Sequence, residues 1–149
     1  MMKRIWFGVL VCIVSACSSS TSNPNPTGKQ QGDLDATFNT PDGYALYSGW
    51  NKDSYMGTAI QSDGKILVST GISNGTDSDV AVLRYTADGI LDTTFGTGGV
   101  VIYDSGNGDD CGRFLAVDVN GAIILTGYTH NGNDVDMLLR GLNGNGTLD

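Results

Sequence analysis

Leu34-Asp35-Ala36-Thr37-Phe38 returns as Leu91-Asp92-Thr93-Thr94-Phe95, and Leu148-Asp149 opens the same phrase a third time. The step is 57 residues on both occasions. A fixed period of this length marks a supersecondary unit that cannot bury its apolar face alone and does so by stacking on its neighbour. The units run over 34–90 and 91–147, with the start of a third behind them.

Four apolar runs follow each opening phrase. They cover 44–48, 56–61, 65–70 and 79–85 in the first unit, and 100–103, 113–119, 122–128 and 136–142 in the second. Each has the length of a strand. The third and fourth are nearly continuous, as in Ile66-Leu67-Val68 and Val80-Ala81-Val82-Leu83, or Ile123-Ile124-Leu125 and Met137-Leu138-Leu139. Such runs belong to strands covered on both faces. Asp63-Gly64 and Asn120-Gly121 supply the positive φ of tight hairpins between the second and third runs. Asn74-Gly75-Thr76-Asp77 and Asn131-Gly132-Asn133-Asp134 occupy matching loops further on. The expectation is an all-β chain with two four-stranded antiparallel blades of a partial β-propeller. A β-sandwich would not need a strict period.

Composition agrees. All sixteen acids are aspartate, none glutamate, and there are 22 glycines. Aspartate and glycine suit turns, whereas glutamate suits helix interiors, so no helix is expected after the leader.

The leader is Met1-Met2-Lys3-Arg4 followed by an apolar run over 5–14. That is the layout of a secretory signal, too short to span a bilayer. Its end, Val14-Ser15-Ala16-Cys17, resembles the lipobox of bacterial lipoproteins. The resemblance implies cleavage after residue 16, lipidation of Cys17 and attachment to a membrane through the lipid. Ser18 resembles the outer-membrane sorting class. Residues 17–32 hold no apolar anchor for a core and read as a flexible tether. Lys3 and Arg4 leave with the leader, so eight basic residues become six against sixteen acids. A net charge of −10 argues against nucleic acid as a partner. Cys12 leaves too, which makes Cys111 the one free thiol beyond Cys17. It reads as a small buried strand residue.

Taken together, Leu91-Asp92-x-Thr94-Phe95-Gly96-x-x-Gly99, Gln61-x-Asp63-Gly64-Lys65-Ile66-Leu67-Val68 and Asp79-x-Ala81-x-x-Arg84-Tyr85-x-x-Asp88-Gly89 resemble the delta-60 repeat family of bacterial surface and secreted proteins. The resemblance spans about 32–149 and implies a propeller-like fold but no activity. The second unit drifts: Arg140-Gly141-Leu142 stands one place off the Arg84-Tyr85 pattern, and Gly127 one place before the position matching Gly71.

Two units are fewer than the four to eight blades of a closed propeller. The stop inside a third opening phrase points to truncation. Two full repeats also suit self-association of chains into a shared ring. Phe38 and Phe95 are expected to pack between blades.

Candidates for chemistry are sparse. His130 is the lone histidine; without a nucleophile elbow it reads as an exposed loop residue, and no catalytic residue is assigned. Calcium takes six to eight oxygens. The loops holding Asp77, Asp79, Asp134 and Asp136, and the loop over 105–110, offer some of them without a complete ligand set. Turn chemistry accounts for the same aspartates. Trp50 and Tyr55 are the residues suited to stacking on a sugar ring. No cofactor is implied. The sequence points to a non-catalytic interaction or structural module with a protein or glycan partner.

Overall fold

The computed structural model describes residues 32–48 and 55–149. The chain divides into two units, Met1–Asp33 and Leu34–Asp149. The leader, Cys17 and Trp50 lie outside the described residues.

Seven strands form in the second unit: β1 (Gly57–Ile60), β2 (Ile66–Ser73), β3 (Ser78–Tyr85), β4 (Val100–Tyr103), β5 (Cys111–Val117), β6 (Ile123–His130) and β7 (Val135–Leu142). No helix appears among the described residues. The strands make two antiparallel sheets, β1-β2-β3-β4 and β5-β6-β7, here called blade 1 and blade 2. The hairpins close as expected. Gly64 has φ +85° and Gly121 φ +89°, and Gln61 N–H donates to Lys65 O at 2.8 Å as Asp118 N–H does to Ala122 O at 2.9 Å.

The repeat is kept in the pairing register. Ile66↔Tyr85 becomes Ile123↔Leu142, Thr70↔Ala81 becomes Gly127↔Leu138, and Ser73↔Ser78 becomes His130↔Val135, each moved by 57. The β1–β2 pairs from Gly57↔Ser69 to Ile60↔Ile66 likewise become Phe114↔Thr126 to Val117↔Ile123. The drift at Gly127 and Arg140 is therefore one of side chains, not of backbone. Gly141 takes the place that Arg84 holds in blade 1.

The cut between blades differs from the cut between sequence units. The first run of unit two, β4, pairs with β3 and completes blade 1. The first run of unit one, 44–48, forms no strand. Blade 2 accordingly has three strands rather than four among the described residues. A strand here is donated by the repeat that follows, and periodicity alone cannot show where a repeat begins.

One face of blade 1, carrying Leu67, Val80 and Val82, packs on the face of blade 2 carrying Ile123, Leu125, Leu138 and Leu142; Phe95 joins the same core and is fully buried. Under the 57-residue shift, Leu67, Val80 and Val82 map to Ile124, Met137 and Leu139, the opposite face of blade 2. The blades therefore stack head to tail, with the forward face of one on the rear face of the next. This is the packing of a propeller array and not of a face-to-face sandwich. The forward face of blade 2 is bare: Met137 is 89% exposed, and Leu139 and Phe114 are each 69%. That is why β7 is largely exposed although its counterpart β3 is buried almost throughout.

Candidate functional site

The repeat phrase builds the joint between blades. Arg84, 5% exposed, is its centre. Its Nε donates to Asp92 Oδ2 at 2.9 Å and one terminal nitrogen to Thr94 Oγ at 3.2 Å. The other terminal nitrogen donates to the Gly144 carbonyl of blade 2 at 2.6 Å. The guanidinium lies over the Phe95 ring, 4.6 Å from its centroid. Gln61 Nε2 reaches the same Gly144 carbonyl at 3.2 Å. Asp92 Oδ1 accepts from the backbone and hydroxyl of Thr94, and these hydrogen bonds, with Arg84 and Lys65 beside it, hold its carboxyl below the usual carboxylate range. Asp35 and Thr37 repeat the two hydrogen bonds of Asp92 and Thr94 at 3.0 and 2.7 Å. Phe38 lies against Gly89, where a Cβ would come within 2.8 Å of several ring atoms.

A second site opens at the loop end of blade 2. It is a cleft of about 590 Å³ lined by Asp109, Arg113, Tyr128, His130, Asp136 and Met137, among others. Arg113 is the bulged residue of β5: the register steps from Gly112↔Gly127 to Phe114↔Thr126 and leaves it unpaired. A bulge re-aims a side chain, and this one carries the guanidinium between two rings. It sits 3.9 Å from the centroid of Tyr55 and 5.3 Å from that of Tyr128. Arg113 Nε is buried without a hydrogen-bond partner. Close approach shapes the bulge. A Cβ on Gly127 would collide with the Cys111 carbonyl oxygen, and one on Gly57 would meet Arg113 O and lie 2.8 Å from Phe114 Cα.

Asp110 fastens the cleft floor. It is fully buried, accepts from Ser105 N–H at 2.7 Å, Thr129 Oγ at 2.7 Å and His130 N–H at 3.0 Å, and donates its own N–H to Ser78 O. Asp109 accepts from Ser78 N–H at 2.9 Å. Asp79, Asp104 and Asp110 bring carboxylate oxygens within 4.8 Å of one another. Burial, opposed by a hydrogen bond from Asn74 and reinforced by the charges of Asp104, Asp77 and Asp110, pushes the Asp79 carboxyl above its ordinary value.

The four aspartates singled out for calcium are thus distributed differently. Asp77 and Asp79 share the Asn74 amide, at 2.7 and 3.1 Å. Asp136 accepts from Asn131 at 2.9 Å, while Asp134 sits in the turn closed by Asn131, to whose Oδ1 it donates its N–H. Only Asp79 joins the acidic trio, whose other members come from the far side of β4. Tyr55 stacks on Arg113 at the cleft. His130 is the last residue of β6, half-buried in the cleft wall, and not an exposed loop residue. Its Nδ1 accepts from Gly132 N–H at 3.3 Å. Cys111 is buried at the start of β5, and burial pushes its thiol up.

Sequence reading passed over Arg113 and Asp104, and took Asp109 and Asp110 only as part of the acidic loop over 105–110. One signal was present: several residues around the cleft sit where the units disagree. Arg113 answers to Met56, Tyr128 to Gly71 and His130 to Ser73.

A family model described as a domain of unknown function (DUF5122) beta-propeller matches residues 61–95. The repeats are β-propeller-like. The matched span begins at Gln61 and ends at Phe95, so it takes in the Arg84 joint and none of the residues named in the cleft. Comparison with curated proteins finds no match.

Proposed function

We propose that the chain is an envelope-anchored lipoprotein, attached through Cys17 and of the outer-membrane class that Ser18 resembles, whose blades form a non-catalytic interaction module. The observation that carries the reading is how the repeat phrase is used. Asp92, Thr94 and Phe95, which recur between units, are consumed with Gln61 and Arg84 in holding one blade on the next, so the shared phrase serves architecture. What is left for recognition is the cleft, whose Arg113, Tyr128 and His130 depart from the repeat. Fold alone does not choose a function; the cleft lining does more.

A glycan ligand is favoured by one feature. Arg113, stacked between Tyr55 and Tyr128 with Nε unpaired, combines flat apolar surface with donors for hydroxyl or carboxylate oxygens. The test has two arms. Fatty-acid labelling of the expressed chain should require Cys17 and vanish in Cys17→Ala; labelling that persists would remove the anchor. Titration with a panel of neutral and acidic oligosaccharides should change tryptophan fluorescence, since Trp50 is the one tryptophan left after the leader is cleaved. Arg113→Ala should abolish that change. A panel without response would overturn the glycan reading and leave a protein partner.

A further inference from the structure

We propose that Asn107 and Gly108 form a self-modification site, at which the folded chain closes a succinimide and opens it to isoaspartate while its five other Asn-Gly pairs stay intact. Those five begin at Asn74, Asn120, Asn131, Asn143 and Asn145. Asparagine is a thermolabile residue, and a glycine after it leaves the next backbone nitrogen unshielded by a Cβ. In sequence the six pairs are alike. In the fold they are not.

The reaction needs only water. The Gly108 nitrogen, its proton given up to base in the solvent, attacks Asn107 Cγ. The N–Cγ bond forms, the Cγ–Nδ2 bond breaks, and Nδ2 leaves as ammonia after taking a proton from solvent. Water then opens the ring. Attack at Cγ gives aspartate; attack at the main-chain carbonyl of residue 107 routes the chain through Cβ and Cγ as isoaspartate. Nothing is oxidised or reduced. The step requires a backbone nitrogen free to lose its proton and a side chain free to turn onto it.

Four pairs lack the free nitrogen. Gly75 N–H donates to Ser73 Oγ at 3.2 Å, Gly121 N–H to Asp118 O at 3.1 Å, Gly132 N–H to His130 Nδ1 at 3.3 Å and Gly146 N–H to Asn143 O at 2.8 Å. Two of them also have locked side chains. Asn74 Oδ1 accepts from the N–H groups of Thr76 and Asp77 while Nδ2 donates to Asp77 and Asp79, and Asn131 repeats the pattern with Asn133, Asp134 and Asp136. At the fifth pair, Gly144 N–H makes no hydrogen bond among the described residues. There the restraint lies elsewhere. Asn143 Nδ2 is tied to Thr147 Oγ1 and the Leu148 carbonyl, and the Gly144 carbonyl is gripped by Arg84 and Gln61.

Among the six, Asn107 alone has both freedoms. Neither Gly108 N–H nor Asn107 Oδ1 makes a hydrogen bond among the described residues, and Asn107 Nδ2 keeps one, to the Ser105 carbonyl at 3.0 Å. Asn107 is exposed, and no backbone–backbone hydrogen bond holds residues 105–108. Gly108 has φ +125°, a conformation that favours glycine, so the unshielded nitrogen is built into this loop. The product adds a carboxylate within three residues of Asp104 and Asp110. Isoaspartate also lengthens the main chain by one methylene inside the loop that Asp110 closes through Ser105 N–H.

The test holds the full chain, purified in detergent, at pH 8 in its folded state and, in parallel, in urea that unfolds it. Peptide mapping follows the mass gain of amide-to-acid conversion and the isoaspartate content at each pair. In the folded chain, conversion at Asn107 is expected at least tenfold faster than at Asn74, Asn120 or Asn131. In urea all six should convert within a few-fold of one another, because the same dipeptide reacts there without its partners. Asn107→Gln should remove the early isoaspartate and leave the other five rates as they were. A folded chain in which Asn107 reacts no faster than Asn74 or Asn131, in which another pair leads, or whose rank order persists in urea overturns the proposal.

Discussion

Replacing Arg84 by methionine keeps most of the side-chain volume and removes the charge, which isolates what the guanidinium does. Three hydrogen bonds of 3.2 Å or less end on it, to Asp92, Thr94 and Gly144. Its loss strands the Asp92 carboxylate, 8% exposed, with Lys65 Nζ 4.0 Å away as its remaining cation. Breaking a buried pair by removing one partner costs about 3–5 kcal/mol. The lost bond to the Gly144 carbonyl and the cation–π contact fall within that figure, because the contributions of one network do not add. Against a stability of about 5–15 kcal/mol for an ordinary domain, Arg84→Met should leave the protein marginal. Urea unfolding of the purified protein measures it. A double-mutant cycle with Asp92→Asn supplies the sharper reading. If the two residues act as a pair, the double variant is less destabilised than the sum of the singles, by about 1–3 kcal/mol. Arg140→Met is the control. That guanidinium lies over Tyr103 at 4.1 Å, an exposed-type cation–π contact worth about 0.5–1 kcal/mol. The reasoning fails if Arg84→Met costs under about 1 kcal/mol, or if the singles add to within about 0.5 kcal/mol.

Gly57→Ala places a methyl against the Arg113 carbonyl and Phe114 Cα; both are backbone, so the bulge must shift, at about 1–3 kcal/mol by urea unfolding, and a variant as stable as the parent would refute the close approach. Asp79→Asn should stabilise the protein at pH 7. The folded pKa of Asp79 is raised, so its ionised form works against folding above that pKa, and the gain should shrink as pH falls toward 3.8; a gain that grows with acid would reverse the argument. Asp92→Asn runs the opposite way: its folded pKa is lowered, its contribution is present above 3.8 and lost below, so the variant should be less stable at pH 7 and approach the parent in acid. Cys111, buried and with its thiol pushed up, should resist a disulfide reagent at pH 8 until urea unfolds the chain; stoichiometric labelling within seconds of mixing under native conditions would contradict the burial.

The strands and their register were legible because the 57-residue step acts on both. Every hairpin turn glycine and every apolar run recurs, and the one expected strand that did not form, 44–48, is the one whose pairing partner would come from another repeat. Blade boundaries were not legible. A period is the same wherever it is cut, and nothing local in Val100-Val101-Ile102-Tyr103 says that it pairs backward with β3 rather than forward. The acidic trio was also out of reach. Asp79, Asp104 and Asp110 come from the start of β3, the end of β4 and the approach to β5, and only the folding of blade 1 gathers them. Asp77 and Asp134 looked like ligands in sequence but are turn residues in space, and Asp136 is the second residue of β7.

That contrast bears on how such a chain is to be read. Asp92, Thr94 and Phe95 recur between units as Asp35, Thr37 and Phe38, and their chemistry is spent in the joint, where they surround Arg84 of the first unit; its guanidinium is almost wholly buried against acceptors from both blades. A residue free to meet a ligand must be one the joint can spare, and the joint can spare positions where the units differ. Arg113 shows how this is arranged. Its counterpart Met56 lies just before β1, whereas Arg113 sits within β5, pushed out of register by one extra residue between Gly112 and Phe114. The bulge leaves the ladder on either side intact and turns the side chain toward Tyr55 and Tyr128. Gly57 and Gly127, with no Cβ to obstruct the bulge, let the blades close around it. A single local irregularity in one copy thus turns a structural repeat into an asymmetric surface, and ligand recognition is to be sought where the period is broken.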